Sequence, residues 1–411
     1  MPPPDTIVTV LLTLVIVLPL ARLGASGATR VNQPAVMGEL VLGILLGNLA
    51  LIGVHWFEPI KMSHTIEILS ELGVILLLFQ VGLESDLSQM MQVGLSSLLV
   101  AACGVIVPFG LGWLVGAWFF PDASVYMHVF LGATLTATSV GITARVLKDL
   151  GRTQTNEARI ILGAAVLDDI MGLMILAIVS GIIVAAGGGQ SMSSLAILWL
   201  VAKAIFFLVG AIVLSRVIYP WLFRAANYLR VHGMLLITAL FTCFLLSYLA
   251  AQAGLAPIVG AFAAGLILDE VYYRDLPKLA EHHLDELLDP IALFLVPIFF
   301  VRMGMGVDLT TFGHASLLIF AAVLTIVAIA GKQFASLGVV TPSTNRWIVG
   351  IGMIPRGEVG LIFASVGMGL SVAGEKIVSP DIYSAVVIMI IITTLITPPL
   401  LAWSFRRSRT S

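Results

Sequence analysis

Charged side chains are scarce in this sequence, and their scarcity excludes an ordinary soluble fold. Only 11% of the 411 residues are Asp, Glu, Lys or Arg, whereas 59% are hydrophobic. Soluble domains usually carry roughly 25% charged residues. Apolar runs of about 20 residues, long enough to cross a bilayer, recur from one end of the chain to the other. We therefore expect a single membrane transport domain over residues 1–411.

Cysteine and long polar stretches are also nearly absent. The only two cysteines, Cys103 and Cys243, lie inside apolar segments and are typical of small buried residues rather than of a disulfide. The polar stretches are too short for a separate soluble domain, and basic blocks that suggest nucleic-acid binding are missing. The run from Ile7 to Leu20 lacks the positive flank of a secretory signal, which favours a first transmembrane helix.

Hydropathy predicts an all-α polytopic membrane protein with thirteen transmembrane helices. An odd number of spans places the two termini on opposite sides of the membrane. The predicted spans are 7–22, 36–54, 65–83, 94–118, 126–147, 158–186, 195–218, 232–251, 256–268, 288–305, 315–338, 347–371 and 382–403.

Lys and Arg residues fall unequally on the two sides of this arrangement. One side carries only Lys61 and Lys376. Basic residues accumulate in cytoplasmic loops, so the richer side is predicted to be cytoplasmic, with the N-terminus outside and the C-terminus inside. The cytoplasmic set comprises Arg22, Arg30, Arg145, Lys148, Arg152, Arg159, Arg216, Arg224, Arg230, Arg274, Lys278, Arg346, Arg406, Arg407 and Arg409.

An internal repeat relates the two halves of the chain. It maps the second and third spans onto the ninth and tenth, a step of seven helices, so the two copies cross the membrane in opposite directions. Inverted repeats are typical of secondary transporters, which bind their substrate near the midplane. The matched positions lie 222 residues apart and are Gly38, Gly43, Gly82, Asp86 and Leu87 with Gly260, Gly265, Gly304, Asp308 and Leu309.

Two predicted spans carry residues that interrupt helices at matching positions. The repeat pairs Ser139–Ile142 (SVGI) with Glu358–Leu361 (EVGL), at a spacing of 219. The first segment is rich in Gly and Thr, and the second has Pro355 and two glycines. Helices that unwind halfway expose carbonyls and half-helix ends to an ion site. Ordinary small-residue packing between helices is the alternative reading.

Asp168 and Asp169 stand next to each other within an apolar span. They lie about ten residues, or roughly 15 Å, from its cytoplasmic end. A charged residue at that depth costs at least about 2.5–3.5 kcal/mol, so two in succession indicate a function. Lys332 lies within another apolar span and is the natural counter-ion. Adjacent helical residues point about 100° apart, so one aspartate can face Lys332 while the other faces a cavity.

A carboxylate in such a cavity can bind either a proton or a small hard cation, and this competition suffices for exchange. Sodium or lithium requires several oxygen ligands, which Thr136, Thr138 and Ser139 can supply from the first interrupted span. Arg356 and Glu358 lie in the second interrupted span. We expect them to support the core, by neutralising half-helix dipoles or pairing with its acids.

Six motifs in order resemble the monovalent cation:proton antiporter superfamily, in the branch that includes NapA-type sodium/proton antiporters and Kef potassium-efflux proteins. The resemblance covers nearly the whole chain. The motifs are QPAVMGELVLGILLG (33–47), ELGVILLLFQVGLESDL (71–87), TATSVGITARVL (136–147), VLDDIMGL (166–173), PIFFVRMGMGVDL (297–309) and MIPRGEVGLI (353–362).

The resemblance implies the NhaA/NapA-like fold with two crossed broken helices and an elevator mechanism. A scaffold bundle at about 1–92 and 195–310 would form a homodimer, and a core bundle at about 93–190 and 311–404 would carry the ions, with 405–411 as a short cytoplasmic tail. It also implies Asp169 and Thr138 as the sodium ligands, Asp168 paired with Lys332, and electrogenic exchange of two protons per sodium.

Other functions remain open at this stage. Kef proteins usually have Gln at the position of Asp168 and a C-terminal nucleotide-binding domain. This chain has an aspartate at that position and is expected to have no such domain, which favours sodium over potassium. Intramembrane aspartyl proteases need two aspartates that face each other from different helices, which neighbours in one helix cannot do. A cation channel has similar residues, but the inverted repeat favours alternating access. We expect no enzymatic activity and no cofactor, with sodium or lithium, protons and lipid as partners in a bacterial inner membrane.

Overall fold

In the residues that it describes, the computed structural model consists of helices joined by loops, together with one short hairpin. It describes residues 7–31, 33–61, 63–84, 94–152, 155–187, 233–253, 255–268, 284–313, 315–342, 344–372 and 374–407, with scattered positions between Trp199 and Tyr228. These residues divide into two compact units: Met1–Gly27, Gly38–Leu87 and Met192–Met305 form unit 1, and Ala28–Met37, Ser88–Ser191 and Gly306–Ser411 form unit 2.

Unit 1 is built from helices at the beginning and in the middle of the chain. A short 3₁₀ helix, Leu49–Ile52, follows the second of them and ends at Gly53, whose φ of 83° favours glycine. The helix Pro257–Ile267 packs against the helices His64–Glu84 and Met234–Gln252. The helix Leu284–Met305 also packs against His64–Glu84. The helices are α1 (Ile7–Arg30), α2 (Ala35–Gly47), α3 (Glu58–Lys61), α4 (His64–Glu84), α9 (Met234–Gln252), α10 (Pro257–Ile267) and α11 (Leu284–Met305). The last residues of α1 and the first of α2 fall in unit 2.

Unit 2 contains the remaining described helices and the hairpin. Two 3₁₀ helices, Leu309–Gly313 and Ala335–Gly338, flank one of its long helices. The hairpin pairs β1 (Ser371–Val372) with β2 (Glu375–Lys376) in antiparallel fashion. The helices are α5 (Leu95–Phe119), α6 (Val125–Thr134), α7 (Val140–Asp149), α8 (Asn156–Gly187), α12 (Ala315–Phe334), α13 (Arg346–Gly352), α14 (Glu358–Gly369) and α15 (Pro380–Arg407).

Eight helices among the described residues are long and apolar enough to cross a membrane: α1, α4, α5, α8, α9, α11, α12 and α15. Shorter apolar helices are α2, α6, α10 and α14. The chain is therefore a largely helical, multi-pass membrane protein. Twelve predicted spans overlap a described helix, whereas the predicted span 195–218 lies mostly outside the described residues, so the count of thirteen stays a prediction.

Several helices extend beyond the predicted spans. Hydropathy predicts a first span ending at residue 22, but α1 continues to Arg30. The last predicted span ends at residue 403, but α15 continues through Arg407, so the tail predicted to begin at 405 is helical at its start. A helix does not have to end where its apolar stretch ends, and Arg406 and Arg407 in the last turn favour helix termination there.

The repeated glycines allow helices of unit 1 to approach backbone to backbone. A Cβ added at Gly43 of α2 would lie 2.2 Å from the carbonyl oxygen of Val301 in α11, and one added at Gly265 of α10 would lie 2.1 Å from that of Phe79 in α4. These two glycines are partners in the repeat. Both halves of unit 1 therefore use the same device, since small residues let membrane helices pack closely.

Candidate ion-binding site

The two aspartates lie side by side within α8, the longest described helix of unit 2. Thr155 precedes this helix, and its hydroxyl accepts the N–H of Ala158 at 3.2 Å, as N-terminal caps do. Asp168 is about 18 Å along the helix from its first residue. Asp168 is 0% exposed and Asp169 is 4% exposed. The helix therefore places both acids deep inside unit 2.

Lys332 forms an ion pair with Asp168. Its ammonium nitrogen lies 3.0 Å from Oδ1 and 3.0 Å from Oδ2, and the lysine is itself 0% exposed. Lys332 occupies the last turn of α12, before the 3₁₀ helix Ala335–Gly338. A buried charge is tolerated when it is paired and hydrogen-bonded, and here both carboxylate oxygens have the same donor.

Gly104 of α5 lies beside this ion pair. A Cβ at position 104 would lie 3.4 Å from Lys332 Nζ and 3.7 Å from Asp168 Oδ1. Both distances are ordinary van der Waals contacts, so alanine would fit at position 104, and side chains longer than alanine would meet the charged groups. Sequence reasoning missed Gly104, because a glycine in an apolar helix has many possible packing roles. The structure assigns it to the wall of the ion pair.

The first interruption separates α6 from α7 at residues 135–139. Its polar residues are buried, and Thr136 Oγ1 donates to the carbonyl of Ala133 at 2.7 Å. The hydroxyl of Thr138 approaches the carboxylate of Asp168, and within the described residues it has no partner at hydrogen-bonding geometry. Thr136 therefore stabilises the end of α6, and Thr138 is the threonine that lies beside Asp168.

The second interruption separates α13 from α14 at residues 353–357. Pro355 lacks an N–H group and disfavours helix at the residue before it, which accounts for the break. Arg356 is 0% exposed, and its guanidinium donates to the carbonyls of Ala137 and Ala328. Arg356 also lies within electrostatic range of Asp168 and Lys332. Glu358 begins α14, and its side chain is outside the described part of the structure.

Hydrogen bonds join the two interruptions directly. The backbone N–H of Ser139 donates to the carbonyl of Pro355 at 2.8 Å, and Thr143 Oγ1 donates to the carbonyl of Gly352 at 2.7 Å. Gly357 is required at this meeting point, since a Cβ there would lie 2.5 Å from Ser139. Unwound segments leave polar backbone groups that must be bonded inside a membrane protein. Each interruption supplies part of what the other needs.

The structure thus brings the predicted site residues together within one unit. Lys332 bonds Asp168, Asp169 is the next residue of α8, and Thr138 of the first interruption lies near Asp168. Arg356 of the second interruption bonds the carbonyl of Ala137 in the first, and all these residues belong to unit 2. Ser139 joins the two interruptions through its backbone N–H, which donates to the carbonyl of Pro355. Their roles in binding an ion are not fixed by these contacts and stay predictions.

Two interrupted helices that meet near buried charged groups are typical of secondary transporters. The chain belongs to the sodium/hydrogen exchanger family, because residues 11–406 match the family described as "Sodium/hydrogen exchanger, transmembrane". This match confirms the predicted membership of the monovalent cation:proton antiporter superfamily. It is a family of transporters.

Individual relatives agree with the family assignment. The chain is 38% identical over 440 residues to the high-affinity Na(+)/H(+) antiporter NhaS3 of Synechocystis, covering 99% of this chain and 92% of that protein. It is 35% identical to the Na(+)/H(+)-K(+) antiporter GerN of Bacillus cereus, covering 93% of each. The solved structure of the sodium proton antiporter MjNhaP1 from Methanocaldococcus jannaschii matches with a TM-score of 0.70 and 17% identity over 97% of both chains, which supports the fold.

The ion pair predicts a stability effect that depends on both partners. Lys332→Gln leaves the Asp168 carboxylate buried without its counter-ion, which costs about 3–5 kcal/mol in comparable pairs. We expect a lower melting temperature of the purified protein in detergent. The double variant Asp168→Asn/Lys332→Gln removes both charges and should recover much of the loss. If the losses of stability from Asp168→Asn alone and Lys332→Gln alone simply add up in the double variant, the two residues are not coupled.

Proposed function

We propose that the chain is a secondary active sodium/proton antiporter, which also takes lithium, and that cation and proton compete for Asp169. The observation that carries this proposal is the arrangement of the two acids: Lys332 bonds both oxygens of Asp168, and Asp169 follows Asp168 in the same buried turn. Support for cation/proton antiport also comes from the family and from the relatives named above.

The chemistry follows from the carboxylate and its surroundings. A carboxylate buried in a membrane protein needs a counter-charge, which a proton or a sodium ion can supply but not both at once. Sodium prefers oxygen ligands, and the hydroxyl of Thr138 lies beside the carboxylate of Asp168. Asp169 and Thr138 are accordingly the proposed sodium ligands, with Thr136, Ser139, Arg356 and Glu358 supporting the core.

Replacing Asp169 tests the site directly. In proteoliposomes that contain a pH-sensitive dye, wild-type protein should dissipate an imposed pH gradient when sodium is added, and Asp169→Asn should abolish this response. Asp122→Asn, the same chemical change in an exposed turn between α5 and α6, should leave exchange unchanged. Near-normal exchange by Asp169→Asn would refute the assignment.

Potassium/proton exchange is the second candidate, and the observation in its favour is the similarity to GerN, a Na(+)/H(+)-K(+) antiporter. The same carboxylate and hydroxyl oxygens suit several monovalent cations. The dye assay with sodium, lithium and potassium in turn separates the candidates. Flux that continues without coupling to a pH gradient would instead indicate a channel.

We also propose that exchange is electrogenic, with two protons for each sodium ion. The second proton would come from the Asp168–Lys332 pair, which would release a proton when the cation binds and take one up when the cation leaves. Both groups are fully buried and in contact, so a change in the charge of one alters the electrostatic energy of the other.

A membrane potential tests this stoichiometry. With no pH gradient, a potassium-diffusion potential should drive sodium movement through wild-type protein, because each cycle moves net charge. Lys332→Gln should alter this response more than it lowers the exchange driven by a pH gradient. Sodium movement that ignores the potential would make the exchange electroneutral.

The proposed mechanism is of the elevator type, with unit 2 as the mobile core and unit 1 as the scaffold of a homodimer. All described residues of the site belong to unit 2, so they would move as one body. We place the protein in a bacterial inner membrane with its N-terminus outside. A monomeric mass by light scattering in detergent would contradict the homodimer, and spin-label distances between units that are identical with sodium and with protons would contradict the elevator.

A further inference from the structure

The hydroxyl of Thr394 contacts the second interruption from another helix. Thr394 lies on α15, is fully buried, and donates a hydrogen bond from Oγ1 to the backbone carbonyl of Arg356. Its neighbour Thr393 is equally buried but donates to the carbonyls of Met389 and Ile390, at 2.9 and 3.0 Å, within α15 itself. Two adjacent threonines therefore make different bonds, and only one of these bonds ties α15 to the interruption.

The carbonyl of Arg356 needs such a donor because it lies where the helix is broken. Arg356 precedes Gly357, whose φ of −123° and ψ of −139° are not helical, and α14 begins at Glu358. A buried carbonyl without a hydrogen bond is costly, most of all in a medium that excludes water. The Thr394 hydroxyl satisfies this carbonyl and fixes the backbone of Arg356 in place.

Arg356 passes this constraint on to the first interruption. Its guanidinium donates to the carbonyl of Ala137, which belongs to the same peptide group as the N–H of Thr138. Thr138 in turn approaches the carboxylate of Asp168. Thr394, Arg356 and Ala137 thus form a continuous series of contacts that ends at the threonine beside the acids.

We propose that Thr394 is a positioning residue of the ion site: its hydroxyl holds the Arg356 backbone, and the arginine side chain thereby holds Thr138 at its place beside Asp168. Thr394 touches neither the acids nor a bound ion in this account. The inference rests on the proposed sodium/proton exchange, since it concerns how tightly that site holds sodium. It predicts an effect on the apparent affinity for sodium, with a smaller effect on the maximal rate.

Two substitutions separate the hydroxyl from the methyl group. Thr394→Ala and Thr394→Ser both remove the methyl, and only Ser keeps the hydroxyl. We expect Thr394→Ala to raise the KM for sodium about threefold to tenfold, the range that one hydrogen bond supplies, and to move the pH profile of exchange. Thr394→Ser should stay close to wild type. The control Thr393→Ala removes a hydroxyl that is bonded only within α15, and it should leave KM unchanged.

The assays use full-length protein in proteoliposomes, with melting temperatures in detergent measured on the same preparations. Equal KM values for Thr394→Ala and Thr394→Ser, or an equal rise in Thr393→Ala, would overturn the positioning role. A loss of exchange with unchanged KM in Thr394→Ala, accompanied by a lower melting temperature, would also overturn it, because it would show a purely structural role. Wild-type protein that fails to exchange sodium for protons would refute the proposed function itself, a result distinct from the first three.

Discussion

The bond between Lys332 and Asp168 is the interaction on which the rest of the site depends. Both side chains are fully buried, and the medium around them cannot solvate a single charge. Lys332 bonds both carboxylate oxygens of Asp168, and the neighbouring Asp169 is the acid that we propose to bind the transported ion. Gly104 lies beside the pair, and Arg356 adds another buried charge within electrostatic range. Removing any one of these charges changes the electrostatic balance of the others.

The joined interruptions explain how polar backbone survives at this depth. The two interruptions do not contribute equally. The spacing of 219 residues that relates them in the repeat pairs Ala137 with Arg356. The arginine donates to the carbonyl of its own repeat partner, whereas the carbonyl of Arg356 is bonded by Thr394. The two copies are thus alike in backbone and unlike in chemistry. Such asymmetry is what a site needs if one interruption carries the ion and the other supports it.

Much of this arrangement could be predicted from the sequence, because in an apolar chain each charged residue is conspicuous. Asp168, Lys332 and Arg356 were identifiable from their depth alone, and Pro355 with its flanking glycines indicated the break that the structure has. The repeat also singled out Gly43 and Gly265, which prove to be close-contact positions. Periodicity and composition are informative here since burial of charge and close backbone approach each admit few residue types.

Other features were beyond prediction for physical reasons. Thr394 stands in a threonine-rich stretch where an ordinary intrahelical bond, as at Thr393, is the default, and only the fold shows that its hydroxyl reaches Arg356. Gly104 gives no sign in the sequence of which helix packs against it. Helix ends differed at Arg30 and Arg407, because hydropathy reports the apolar stretch rather than the helix.

Proton release on sodium binding tests the central claim most directly. Purified protein in weakly buffered detergent solution should acidify the medium when sodium is added, since cation and proton compete for one carboxylate. Asp169→Asn should show no such release. Sodium binding to wild-type protein, detected by calorimetry, without release of protons would contradict the account, as would undiminished release from Asp169→Asn.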